Sequence, residues 1–139
     1  MPRYLVVAHQ TADSPELVAA LSDITKRHPD AVFVLVVPST PPSHLVTWTE
    51  GEAKTIALAA GERAMDSLRR HGIALESIRV GDQDPVNAAC DEWNDHPHYD
   101  EVILSTFSVG ASRWLKGDAY KRLTKRISVP VTHIVAESS

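Results

Sequence analysis

Residues 31–37 read AVFVLVV, an unbroken apolar run of strand length. A strand that is exposed on one face alternates apolar with polar side chains, whereas a strand covered by helices on both faces is apolar throughout. This run therefore predicts a central, buried strand of a parallel sheet.

The segments on either side of this run alternate between strand-like and helix-like patterns. Further strands are predicted at residues 4–8, 73–80, 101–105 and 129–136. Helix starts are predicted at Ser14-Pro15 and Asp84-Pro85, where a capping side chain precedes a proline, and a third at Gly117-Asp118. A longer helix fills residues 50–71. The alternation predicts one α/β domain over residues 1–139, a five-stranded parallel sheet with helices on both faces.

Composition narrows the classes of function. The chain has 139 residues, a formal net charge of −4 and one cysteine, Cys90. A weakly acidic chain has no broad attraction to nucleic acid or to an anionic membrane. A single cysteine cannot form an intramolecular disulfide, and no apolar run has membrane-spanning length. We therefore expect a cytoplasmic protein without a nucleic acid or membrane partner.

Two further stretches carry a resemblance to a known family. The turn at residues 81–85 reads GDQDP, and residues 128–135 near the end of the chain read SVPVTHIV. Together with the strand–helix order, they resemble the universal stress protein family over essentially the whole chain. The resemblance implies a Rossmann-like sheet with strand order 3-2-1-4-5 and a homodimer formed through the last strand, residues 129–136. One branch of that family binds ATP between the loops after strands one, two and four, and other members bind no nucleotide.

The ATP-binding motif of that branch is altered in this chain. The family pattern after the fourth strand is G-x-x-G, about nine residues, then G-[ST]. This sequence has Ser105 and Ser108 at the two leading glycines, a spacer one residue shorter, and Asp118 after Gly117. Serine crowds the backbone approach that glycine allows, and an aspartate at a helix start repels phosphate. His9 also replaces the aspartate that holds a ribose hydroxyl in that branch. We expect ATP to bind much more weakly than to an intact motif.

The carboxyl ends of parallel strands meet at one edge of the sheet, which is where ligands bind in such folds. Within the altered segment, Arg113 and Lys116 are candidates to hold a phosphate or carboxylate, although both also fit a solvated basic surface. The edge rule and the family resemblance together predict the residues that border a ligand: Ala8, His9, Gln10, Val37, Pro38, Gly81, Asp82, Ser105, Thr106, Ser108, Gly110, Ser112, Arg113, Lys116, Gly117 and Asp118.

Other constellations are weaker. Ser105, His9 and Asp82 all follow strands, but no G-x-S-x-G elbow supports a hydrolytic triad. Residues 95–100 read DHPHYD and contain metal-binding side chains, yet a short turn at the opposite end of the sheet is expected to be a solvated connection without a metal. Cys90 lies on the apolar stripe of its helix and is interpreted as a core residue.

These observations favour a non-catalytic regulatory or stress-response module with no catalytic residues. The candidate ligand is ATP or AMP, or another small anion, and no cofactor is assigned. The alternative is a ligand-free homodimer that acts through protein–protein contacts.

Overall fold

The apolar run at residues 31–37 forms an interior strand of a five-stranded parallel sheet. The computed structural model describes residues 2–9, 11–39, 50–107 and 119–136. Within them the predicted fold class and strand order, β3-β2-β1-β4-β5, are confirmed. The strands are β1 (Arg3–Val7), β2 (Val32–Pro38), β3 (Leu75–Gly81), β4 (Glu101–Phe107) and β5 (Val131–Ala136). The helices are α1 (Pro15–Arg27), α2 (Glu50–Arg70), α3 (Pro85–Asp95) and α4 (Ala119–Arg126).

The middle strand, β1, separates two apolar cores. Val6 packs with side chains of α1 and α2, including Leu21 and Leu68, in the core on one face of the sheet. Leu5 packs with α3 and α4, including Leu123, in the core on the other face. Successive side chains of a strand point to opposite faces, so both must be apolar when helices cover both faces. Cys90 is buried in the second core, as predicted, and burial raises the pKa of its thiol.

Both predicted capping residues begin their helices. The Ser14 hydroxyl accepts a hydrogen bond from the Leu17 N–H at 3.2 Å. The Asp84 carboxylate accepts from the Val86 N–H at 2.8 Å and from the Asn87 N–H at 3.3 Å. Each bond satisfies a backbone donor that has no partner within its own helix. The predicted start of the last helix, Gly117-Asp118, lies outside the described residues.

The observed strand limits differ from the predicted ones by one or two residues, and two of the differences have identifiable reasons. β3 begins at Leu75 rather than residue 73, because the Ile73 N–H donates to the Leu68 carbonyl and still belongs to the end of α2. β5 begins at Val131 rather than residue 129, because Pro130 has no N–H, although its carbonyl accepts from Val102. β4 continues two residues beyond the predicted end, to Phe107.

The connection between α3 and β4 is exposed to solvent at residues 96–98 and 100, as predicted for a turn, and it is anchored at Tyr99. Tyr99 is buried, and its hydroxyl donates to the carboxylate of buried Glu92 at 2.8 Å. The same carboxylate lies 3.2 Å from His96 Nδ1 and 3.5 Å from Arg79 Nε. Burial, with Glu92 as a second cause, raises the pKa of Tyr99, which keeps the hydroxyl a donor. This cluster fixes the end of α3 to the start of β4.

We expect Tyr99→Phe to lower the free energy of unfolding by about 1–2 kcal/mol, because the buried Glu92 carboxylate loses a donor but retains two other partners. Urea unfolding at pH 7 measures the change. The matched control is Tyr120→Phe, which removes the hydroxyl of a tyrosine that is 39% exposed and should change stability little. Equal effects of the two substitutions would contradict the assigned role of the Tyr99 hydroxyl.

Candidate functional site

The described predicted site residues lie at the carboxyl ends of four neighbouring strands. They are Ala8 and His9 after β1, Val37 and Pro38 in β2, Gly81 and Asp82 at the end of β3, and Ser105 and Thr106 in β4. The ends of β2 and β3 are tied together by Ser39, whose backbone N–H and hydroxyl both donate to the Gly81 carbonyl. The other predicted site residues, Gln10, Ser108, Gly110, Ser112, Arg113, Lys116, Gly117 and Asp118, lie outside the described residues.

His9 has the least satisfied polar side chain at this edge. Its two ring nitrogens are buried, and neither has a hydrogen-bond partner among the described residues. Burial lowers the pKa of the imidazole, and the positive charge of Arg63 in α2 lowers it further. A buried polar group without a partner costs about 1–3 kcal/mol. The unpartnered ring nitrogens of His9 therefore call for an explanation, and a bound ligand would provide one.

The two hydroxyls at the end of β4 are engaged within the protein. Ser105 is fully buried, and its Oγ lies 2.6 Å from Thr11 Oγ1. Thr106 Oγ1 lies 2.7 Å from His133 Nε2 of β5, whose ring stacks on Tyr120 of α4. Since consecutive side chains of a strand point to opposite faces, the two hydroxyls connect β4 to different neighbours. Thr11 was not among the predicted site residues. The only signal for it in the sequence is a hydroxyl side chain two positions after His9.

Asp82 and Asp84 serve the start of α3. The Asp82 carboxylate accepts from the Asp84 N–H at 3.0 Å and lies 3.4 Å from Asn87 Nδ2. Burial alone would raise the pKa of Asp84, but hydrogen bonds from Arg122 and from the Val86 and Asn87 N–H groups outweigh it and lower the pKa. Among the described residues, Asp82, Ser105 and His9 form no mutual hydrogen bond that would assemble a hydrolytic triad.

Two arginines of α4 form hydrogen bonds to the start of α3. Arg122 Nη2 donates to Asp84 Oδ2 at 2.8 Å, and Arg126 Nη1 donates to Asn87 Oδ1 at 3.2 Å. Arg122 is partly exposed and Arg126 is exposed, yet both form hydrogen bonds to the start of α3. Their four-residue spacing, which places both on one side of a helix, was the available signal.

Gly81 has a packing role at the end of β3. A Cβ built on it would lie 2.7 Å from Ala88 Cβ and 3.3 Å from Ala88 Cα, so glycine lets α3 approach the strand. Beside this contact a groove of about 520 Å³ runs between β3 and α3. Its lining includes Gly81 and Asp82 together with Ser39, Lys54 and Arg79, but not His9 or Ser105. The predicted site residues thus divide between this α3 groove and the end of β1.

No helix in the described part of the chain is long and apolar enough to span a membrane.

Comparison with known proteins yields structural likeness alone. No protein-family model matches the chain, and no curated protein does. A universal stress protein family protein from Arabidopsis thaliana, solved with AMP bound, superposes with a TM-score of 0.66 at 18% identity, covering 98% of this chain and 92% of that one. A universal stress protein in complex with cAMP has a TM-score of 0.63 at 17% identity and covers 97% of both chains.

The universal stress protein from Archaeoglobus fulgidus, in complex with dAMP, has a TM-score of 0.63 at 15% identity. The alignment covers 96% of this chain and 97% of that one. All three superpositions extend over nearly the whole of both chains, and the strand order that the sequence resemblance implied is the one observed. The chain therefore has the fold of the universal stress proteins.

Proposed function

We propose that this chain is a cytoplasmic member of the universal stress protein family, a non-catalytic regulatory or stress-response module. It binds a small ligand, an adenine nucleotide such as ATP or AMP or another small anion, at the carboxyl edge of its sheet. The fold supports this proposal, as do the AMP, cAMP and dAMP complexes of proteins with the same fold. With a net charge of −4, neither nucleic acid nor a membrane is proposed as a partner.

The observation that carries the ligand-binding proposal is the pair of unpartnered ring nitrogens of His9. They lie at the end of the middle strand, the part of an open parallel sheet where ligands bind. A ligand that supplies the missing partners would recover the free energy that their burial costs. Ser105 argues against tight phosphate binding. Its side chain is hydrogen-bonded to Thr11, and its Cβ prevents the close approach of a phosphate to the backbone that glycine would allow.

The absence of catalysis is a separate part of the proposal. It is supported by the engagement of the Ser105 hydroxyl with Thr11 and of the Asp82 carboxylate with the start of α3. Neither group is paired with His9 as a nucleophile or an orienting carboxylate would be. ATP hydrolysis above that of a boiled control would contradict this part.

A ligand-free homodimer is the second candidate function, and the open edge of β5 favours it. Within the described part of the chain, β5 pairs with β4 alone. Exposed large apolar side chains lie at or beside it, Val135 at 45% and Tyr120 at 39% exposure. An uncovered strand with apolar side chains is a template for pairing with a second chain. In both candidate functions the chain forms a homodimer. They differ in whether a ligand binds at the carboxyl edge of the sheet.

Mass spectrometry of the natively purified protein separates the two. We expect a released adenine nucleotide or other small anion, and calorimetric titration with ATP should give an affinity weaker than low micromolar, because Ser105 and the other altered motif positions hinder phosphate binding. A low-micromolar or tighter ATP affinity would show that the missing glycines matter little. Persistent absence of any ligand, with no thermal shift on addition of nucleotide, would favour the ligand-free dimer.

The dimer is tested at Val135. We expect light scattering at micromolar concentration to report twice the chain mass, and Val135→Glu to shift the protein to monomer, because paired copies would bring like charges together at a twofold interface. Leu58→Glu is the matched control, since Leu58 of α2 is also 45% exposed and lies on a helix. A monomeric wild-type protein, or equal effects of the two substitutions, would contradict pairing through β5.

A further inference from the structure

His133 places a titratable side chain on β5, the strand through which the chain is proposed to dimerise. Its ring is partly exposed, so water can reach it in the single chain. Nε2 lies 2.7 Å from Thr106 Oγ1, and the ring stacks on Tyr120 of α4 at a centroid distance of 5.5 Å. These contacts with two elements fix the position of the ring. His133 therefore cannot turn away from an approaching second chain without losing both of them.

The neighbours of this ring offer no negative charge that would hold a proton on it. Leu104 lies opposite His133 on β4, and Thr106 contributes a neutral hydroxyl. From α4, the ring contacts Tyr120, a phenol that is uncharged at neutral pH. Burial lowers the pKa of His133 from its ordinary value of 6.5, and no charged group is identified as a further cause. The ring is therefore neutral at pH 7.

The other charged groups near β5 do not change this conclusion. In α4, Arg122 and Arg126 bind to the start of α3, and the two exposed lysines, Lys121 and Lys125, are cations that would only oppose protonation. α1 packs against the opposite face of the sheet, with Ile134 of β5. On that face the Glu101 carboxylate accepts a hydrogen bond from Thr132 Oγ1 at 2.6 Å.

The geometry of strand pairing brings His133 against the second chain in every register. In an antiparallel pair within one sheet, residues directly opposite each other point their side chains to the same face. Val131, His133 and Val135 share a face of β5, because successive side chains alternate. Within the strand Val131–Ala136, a twofold arrangement therefore places His133 opposite Val131, opposite Val135 or opposite its own symmetry mate.

A protonated ring is unfavourable in each of these arrangements. Opposite its symmetry mate, it would place two positive charges on side chains whose Cβ atoms are about 5 Å apart. Opposite a valine, it would be covered by an apolar side chain that offers the charge no partner. A neutral imidazole meets neither cost. The paired strand therefore favours the neutral ring more strongly than the single chain does.

We propose that His133 makes the association of two chains through β5 sensitive to pH, with a dimer at neutral pH that dissociates under mildly acidic conditions. This inference rests on the proposed homodimer, because it concerns the same strand. The sign follows from proton linkage: the dimer disfavours the proton that the monomer accepts, so a lower pH shifts the equilibrium to the monomer.

Sedimentation of the full chain at pH 7.5 and pH 5.0, at one ionic strength, measures the effect. The dissociation constant of the dimer should rise about tenfold or more at pH 5.0, because each dimer holds two such rings and a combined disfavour of one pKa unit gives a factor of ten. Circular dichroism at pH 5.0 should show a folded chain, which separates dissociation from acid unfolding.

Two substitutions of the same residue should have opposite effects. His133→Gln retains a hydrogen-bonding side chain but cannot become charged, so its dimer should be nearly as stable at pH 5.0 as at pH 7.5. His133→Arg is charged at both pH values and should be largely monomeric even at pH 7.5. His98→Gln, at an exposed histidine outside β5, is the matched control and should keep the pH dependence of the wild type.

The outcomes distinguish this inference from the dimer on which it rests. A wild-type dimer that is equally stable at both pH values, or more stable at pH 5.0, overturns the inference and leaves the dimer intact. Dissociation at pH 5.0 that persists in His133→Gln overturns it as well, since another group would then be responsible. A folded wild-type chain that is monomeric at both pH values contradicts the proposed homodimer and the inference with it.

Discussion

The sheet's single strand direction is the constraint on which the rest of the structure depends. A parallel strand can follow its neighbour only after a crossover, and here helices return the chain to the amino edge after every strand. Helices then cover both faces, and strands such as β1 and β2 have to be apolar on both sides. The same constraint places every strand end at one edge, so residues as distant in sequence as Ala8 and Thr106 lie at the ends of two paired strands.

Several polar side chains at the carboxyl edge form hydrogen bonds that stabilise the fold, and His9 differs from them. Ser105 binds Thr11, Thr106 binds His133, and Asp84 caps α3 while it holds Arg122. Each of these pairings joins two elements of the domain. His9 joins none among the described residues, although its ring nitrogens are buried at the same edge. A buried polar group without a partner calls for an explanation, and the proposed ligand would supply one.

The sequence predicted the features that follow from periodicity and capping, and it missed those that depend on packing between distant segments. The apolar pattern of residues 31–37 and the capping residues Ser14 and Asp84 act locally, so fold class and helix starts could be read directly. The hydrogen bond between Thr11 and Ser105 joins residues 94 positions apart. Nothing in either residue's neighbourhood indicates that it will form.

The two open edges of the sheet differ, and the difference favours one of them for association. Beside β3, Glu76 pairs with Arg3 at 3.0 Å and Arg79 approaches Glu92, so charged side chains border that edge. Charges at a strand edge oppose pairing with another chain because pairing would remove their water. At the β5 edge the exposed side chains include Val135, which loses nothing when it is covered and gains from burial. A second copy paired at β5, as proposed, would leave the α3 groove beside β3 and the carboxyl edge of the sheet accessible.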